Sequence, residues 1–268
     1  MAWFRRSSPL TLVTVALILG LVINLPGKLQ AQSQTPSLTS QLPAQWDPPS
    51  PPDAPAPVNR ESGGIRGDSC KIPPDQKLLS LVPLSGIGTT TVDYPTVFWY
   101  MPETRASAVE FVLKDANARQ LYYAKYNLAQ SAQGVSGTPR IMSLKLPPLA
   151  NLSPLKVGQT YYWELALICI DPDSGMEEEV TPFVRGGIQR VAPNPTLALD
   201  LQKATAKERV ALYANQRDWY ETLRTLAELQ QALPNDPEVA EAWAKLLNSV
   251  NLEPVDYKSR LEPAINEP

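Results

Sequence analysis

The sequence predicts an α+β chain: an antiparallel β-sandwich over residues 64–192, then a small helical domain over 193–252. Three observations carry this. Seven short runs rich in β-branched and aromatic residues occupy the first region, each bounded by turn signals and none carrying a helical period. The apolar spacing then switches from two to between three and four at Pro195. Helix-start signatures follow at Thr205, Asp218 and Asp236.

Residues 1–31 read as a secretory signal peptide. Arg5 and Arg6 precede an apolar run from Leu10 to Leu25, Asn24, Pro26 and Gly27 break it, and Leu29-Gln30-Ala31 offers the cleavage site. The alternative is an uncleaved signal anchor, but the run of 16 residues falls short of the roughly 20 that span a bilayer. The expected location is periplasmic or secreted, and the mature domain is not expected to span a membrane. Residues 32–63 hold Pro36, Pro43, Pro48, Pro49, Pro51, Pro52, Pro55 and Pro57. They read as a disordered, proline-rich linker, serving as a spacer or simply as a tail.

The seven strand runs lie near Leu78–Leu84, Val92–Met101, Ala108–Asp115, Gln120–Leu128, Arg140–Pro147, Thr160–Ile170 and Val180–Val191. Val109, Phe111 and Leu113 share one face, as do Met142, Leu144 and Leu146. Trp163, Leu165, Leu167 and Cys169 share another, which points Cys169 at the core. The run Leu155 to Trp163 resembles the approach to a core strand in fibronectin-type modules, so the sandwich is expected to be immunoglobulin/fibronectin-like. A short helix is expected at Thr196–Lys203. Thr205 and Glu208 form a capping box, Asp218 with Glu221 opens a second helix, and Asp236-Pro237 opens a third. Tyr213, Trp219 and Pro234 are spaced as in a degenerate tetratricopeptide hairpin, and one hairpin is too little for a solenoid. Residues 253–268 are left as a tail.

Composition narrows the chemistry. The chain has no histidine, which excludes Ser-His-Asp and Cys-His nucleophiles and His-ligated zinc. Cleavage after Ala31 would remove three cations and no acid, so the mature chain is more acidic than the formal charge of −3. Nucleic acid is not an expected partner, because no basic stripe interleaves with aromatics. The two cysteines, Cys70 and Cys169, are expected to form a disulfide in an exported protein; two separately buried thiols are the alternative. No cofactor is expected.

Three sets of side chains are candidates for function. Arg66 and Arg185 sit beside glycines and, with Arg190, could form an anion-binding patch, against a tight turn and a bulged strand whose arginines pair with acids. Asp171, Asp173 and Glu177 are the densest oxygen ligands and could meet calcium, against a plain charged turn. Trp99, Tyr100, Tyr122, Tyr126 and Tyr161 could form a sugar-stacking surface, against ordinary core packing. Asp173-Ser-Gly175 matches the aspartic-protease tripeptide in a single copy, which an acidic turn explains.

Several stretches carry a family likeness: Gly64-Ile-Arg-Gly67, Leu78-Leu-Ser-Leu-Val-Pro83, Pro95-Thr-Val-Phe-Trp-Tyr100, Glu110-Phe-Val-Leu113 and Tyr161-Tyr-Trp163. Others are Arg185-Gly-Gly-Ile-Gln-Arg190, Arg209-Val-Ala-Leu-Tyr-Ala214, Trp219-Tyr220, Leu226-Ala-Glu-Leu229 and Ala242-Trp243. Together they resemble the cyanobacterial domain of unknown function 928 family over Gly64 to Leu252. The resemblance implies an exported protein and carries over no catalytic residue. The expected function is a non-catalytic interaction module binding a protein partner in the envelope or periplasm. The alternatives are a carbohydrate or cell-wall-binding module, and a histidine-free hydrolase built on two facing carboxylates.

Overall fold

The computed structural model describes residues 36–46, 60–62, 69–128, 139–148, 152–171, 173–177, 181–252 and 261–263. These belong to one compact unit beginning at Pro36. The expected signal peptide, residues 32–35, 47–59 and 63 of the expected linker, and Arg66 lie outside the described residues.

Strand-forming runs become strands where alternate side chains can be buried. The strands are β1 Leu79–Ser80, β2 Ile87–Thr90, β3 Thr96–Met101, β4 Ala108–Asp115, β5 Gln120–Asn127, β6 Arg140–Lys145, β7 Thr160–Ile168, β8 Phe183–Arg190 and β9 Leu261–Pro263. They make two sheets in a sandwich-like arrangement, ordered β1-β3-β6-β9 and β2-β8-β7-β4-β5. Alternation holds where it was expected: Val109, Phe111 and Leu113 on β4 and Trp163, Leu165 and Leu167 on β7 are all buried.

The pairing is not antiparallel throughout. β2 runs parallel to β8, and β9 runs parallel to β6. Neither strand was expected. β2 is four residues of Ile-Gly-Thr-Thr, buried along its whole length, so it shows no alternation. β9 falls in the segment expected as a tail. The Arg185-Gly-Gly stretch carries no bulge, since β8 pairs with β7 in unbroken register from Phe183 to Gln189. Its first glycine has a steric reason instead. A Cβ on Gly186 would lie 2.5 Å from ring atoms of Trp163.

The helices are α1 Leu38–Gln41, α2 Pro195–Lys203, α3 Ala206–Asn215, α4 Trp219–Ala232 and α5 Pro237–Asn248. Local capping starts them as expected. Thr205 and Glu208 complete the capping box of α3, and Asp218 and Asp236 accept the first free N–H groups of α4 and α5. No described helix is long and apolar enough to cross a membrane.

Helices α1, α3, α4 and α5 share a single cluster of buried side chains with the sandwich. Trp219, at the start of α4, donates Nε1–H to the Leu81 carbonyl at 3.0 Å. Tyr220 donates its hydroxyl to the Gly187 carbonyl at 2.8 Å and accepts from Trp163 Nε1 at 3.1 Å. Gly88 on β2 makes room for this, because a Cβ there would lie 2.7 Å from Trp219 and 2.9 Å from Tyr220. The expected break near residue 192 is therefore no break in the core.

Residues 36–46 correct a further expectation. Their composition predicts a linker, yet Leu38, Leu42 and Trp46 are buried in the shared core. The Trp46 ring meets Trp219 edge-on, with centroids 5.0 Å apart. Lys245 Nζ donates to the Thr39 carbonyl at 2.8 Å. Three large apolar residues outweigh the proline-rich composition around them, because each contributes roughly 1.5–3 kcal/mol on burial. Cys70 and Cys169 form the expected disulfide, both buried, with Cα atoms 5.2 Å apart.

Candidate functional site

The two described arginines of the expected anion patch do not converge. They are five positions apart on β8, so alternation sends them to opposite faces. Arg185 lies on the outer face, pairs with Glu164 at 2.5 Å and stacks over the Phe183 ring at 4.8 Å. Arg190 is buried; it binds Asp93 at 2.9 Å and donates to the Val191 carbonyl at 2.7 Å. Each cation is already matched by an acid.

The acidic turn also uses its own ligands. Asp171 Oδ1 accepts from the backbone N–H groups of Ser174 and Asp173, both at 2.8 Å. These bonds hold the Asp171 carboxyl below its usual pKa. Glu177 pairs with Lys125 at 2.6 Å, leaving Asp173 as the remaining carboxylate of the three. Among the described residues, no group of three or more His, Cys, Asp or Glu is placed to hold a metal ion. Of the five aromatics, Trp99, Tyr100 and Tyr161 are buried. Tyr122 and Tyr126 pack partly against the core from β5, their hydroxyls 2.8 Å apart. These five form no common exposed surface.

Two polar features lie elsewhere. At the seam between β2 and α4, Asp218 is 1% exposed and Glu221 2% exposed. Asp218 Oδ2 accepts from Thr91 N–H at 3.0 Å and Thr91 Oγ1–H at 2.6 Å, while Oδ1 accepts from Glu221 N–H at 3.2 Å. Burial outweighs these bonds, and with Glu221 nearby pushes the Asp218 pKa up to about 7. Glu221 is also raised by burial, partly offset by Arg224, which bonds its Oε2 at 2.9 Å. A separate cleft of about 240 Å³ is lined by Asp115, Arg119, Lys156, Gln159 and Tyr161, among others. Arg119 is held there by Asp115 at 3.1 Å, and Tyr161 accepts the Lys156 N–H at 2.9 Å.

A feature with unspent bonding capacity among the described residues is β5. It ends the five-stranded sheet and pairs only with β4 among the described strands. Leu128 N–H points to β4, donating to the Ser107 carbonyl at 2.8 Å. In an antiparallel ladder the backbone groups of successive residues point to alternate sides. The N–H and C=O of Tyr123, Lys125 and Asn127 therefore face the open edge. A register shift between Leu113 and Lys114 sets this stretch off from the hairpin turn. On the outer face, Tyr123 donates to Glu110 at 2.8 Å, and Lys125 sits between Glu110 and Glu177 at 3.8 and 2.6 Å. The exposed lysine is a common safeguard of an edge, yet no proline blocks Gln120–Asn127. Sequence reading found β5 but not its position at an edge. Its poorly alternating Gln-Leu-Tyr-Tyr-Ala-Lys-Tyr-Asn was the available sign.

The fold and site define a class: a disulfide-bonded sandwich fused to a helical cap, with β5 at one edge of the five-stranded sheet. The profile of one family, described as Domain of Unknown Function (DUF928), matches residues 61–260, and the chain belongs to that family. No curated protein matches. Among solved structures, the chain is similar to astrotactin-2, titled as a conserved vertebrate-specific and perforin-like membrane protein involved in neuronal development. That similarity is 11% identity with a TM-score of 0.25, over 68% of this chain and 37% of the other.

Proposed function

We propose that this protein is an exported, non-catalytic interaction module that docks a protein partner in the periplasm or envelope along the open edge of β5. The outward backbone groups of Tyr123, Lys125 and Asn127, which meet no other strand among the described residues, carry the reading, because an exposed strand edge recruits another strand through main-chain bonds. Export is supported by Arg5, Arg6 and the apolar run after them, and by a buried disulfide of the kind that persists in oxidising compartments. The non-catalytic reading is supported by the absence of histidine and by the sealed position of Asp218 and Glu221.

We read the sandwich as immunoglobulin-like. In support, β8-β7-β4-β5 follows the order of the G, F, C and C′ strands of that fold, facing β1-β3-β6 as A, B and E. The tetratricopeptide likeness of α3 and α4 rests on their hairpin and on the spacing of Tyr213, Trp219 and Pro234. The start of α4 packs on the sandwich rather than on a following repeat.

The test is cross-linking in intact cells with a tagged chain, comparing wild type with Lys125→Pro. That substitution removes an outward N–H and no backbone bond to β4; Lys125→Ala, which loses the same ion pairs to Glu110 and Glu177 but keeps the N–H, is the control. A partner protein captured by the wild type and lost in the variant, at unchanged Tm, is the expected result. Capture of glycan alone would move the assignment to wall binding. Equal protein capture by both chains would remove β5 from the docking site.

A further inference from the structure

We propose that the strand added to β5 is β5 of a second copy of this chain, related by a two-fold axis at Ala124. This rests on the reading of β5 as a docking edge. The edge is self-complementary in hydrogen bonding. Tyr123 and Lys125 both aim N–H and C=O outward, so in antiparallel self-pairing each meets the other residue of the second copy and exchanges two bonds with it.

Any residue of the strand can sit on the axis without breaking this pattern, and side chains choose among the three central positions, Tyr123, Ala124 and Lys125. A centre at Lys125 opposes two lysines, which is unfavourable. A centre at Tyr123 places Tyr122 against alanine and Tyr126 against Gln120. A centre at Ala124 matches both faces. On the outer face, each Lys125 meets Tyr123 of the second copy, next to the Glu110 that this tyrosine already bonds. On the inner face, Tyr122 meets Tyr126 of the second copy, so the two hydroxyl-bonded tyrosine pairs join into a row of four. The half-buried flanks of Tyr122 and Tyr126 are covered in the process.

The pairing also fixes distances. Ala124 points its own backbone groups at β4, so it forms a non-hydrogen-bonded pair with its symmetry mate, Cα atoms about 4.5 Å apart. That is within disulfide range. Both natural cysteines are bonded to each other, so Ala124→Cys supplies a free thiol at the axis.

The experiment is sedimentation of the exported chain from micromolar to sub-millimolar concentration, with oxidation of Ala124→Cys and of Asn127→Cys. The expected result is a twofold rise in mass with concentration, lost in Lys125→Pro and weakened in Tyr123→Lys, and a covalent dimer from Ala124→Cys but not from Asn127→Cys. A wild-type chain that stays monomeric, with no covalent dimer from Ala124→Cys, overturns self-pairing. If Lys125→Pro still abolishes partner capture in that case, the docking edge survives and its occupant is another protein. If capture is also unaffected, both readings fall.

Discussion

Replacing Asp218 with asparagine should make the protein more stable above neutral pH and not below pH 4. Asp218 caps α4 and receives three hydrogen bonds, so losing its charge looks harmful at first. The position is 1% exposed, however, and burial together with Glu221 lifts its pKa from 3.8 to about 7. Between those values the folded state holds a proton that the unfolded state has released, so stability falls as pH rises. About three units at 1.36 kcal/mol each come to ~4 kcal/mol lost between pH 4 and pH 7. Asparagine removes that dependence. It also spoils one capping bond, which costs about 1 kcal/mol at all pH values. The variant should be slightly weaker than wild type at pH 4 and stronger by roughly 3 kcal/mol at pH 8. Urea titrations followed by tryptophan fluorescence at both pH values read this directly. A difference that does not change with pH, or a variant weaker at pH 8, would refute the argument that burial dominates this carboxylate.

Three further outcomes follow from packing and covalent structure. Gly186→Ala drives a methyl group to 2.5 Å from the Trp163 ring and should cost about 1–3 kcal/mol in denaturant titrations. Trp46→Ala empties a site under Trp219 and should cost about 3–5 kcal/mol, whereas a true linker residue would cost nothing measurable. Reducing the Cys70–Cys169 bridge frees a loop of 99 residues and should lower stability by up to about 4–5 kcal/mol. Intact mass before and after reduction should differ by two hydrogens.

What was legible in the sequence is what local chemistry determines. Thr205, Asp218 and Asp236 mark helix starts because capping is settled within four residues. β4 and β7 are visible because alternate positions must be apolar when one face is buried. The rest depends on neighbours distant in the chain. β2 is hidden because both its faces are covered, one of them by Trp219 and Tyr220 from over 120 residues away. Residues 36–46 look like their proline-rich surroundings, and only the fold shows that Trp46 has a ring to pack on. The glycines at 186 and 187 suggested a bulge because the sequence does not reveal that Trp163 lies across from them. Likewise, Arg185 and Arg190 read as a patch until strand register separates their faces. That β5 sits at an edge is a property of sheet order, which strand periodicity does not encode.

The central claim is that the outward amides of β5 are open and become occupied on docking. Residue-resolved hydrogen exchange by NMR tests it most directly. In dilute protein, the amides of Tyr123, Lys125 and Asn127 should exchange fast while those of Tyr122, Ala124 and Tyr126, bonded to β4, stay protected. At high concentration, or with the captured partner, the first set should become protected as well. Equal protection of both sets in dilute protein, or an outward set that stays fast under every docking condition, would contradict the account.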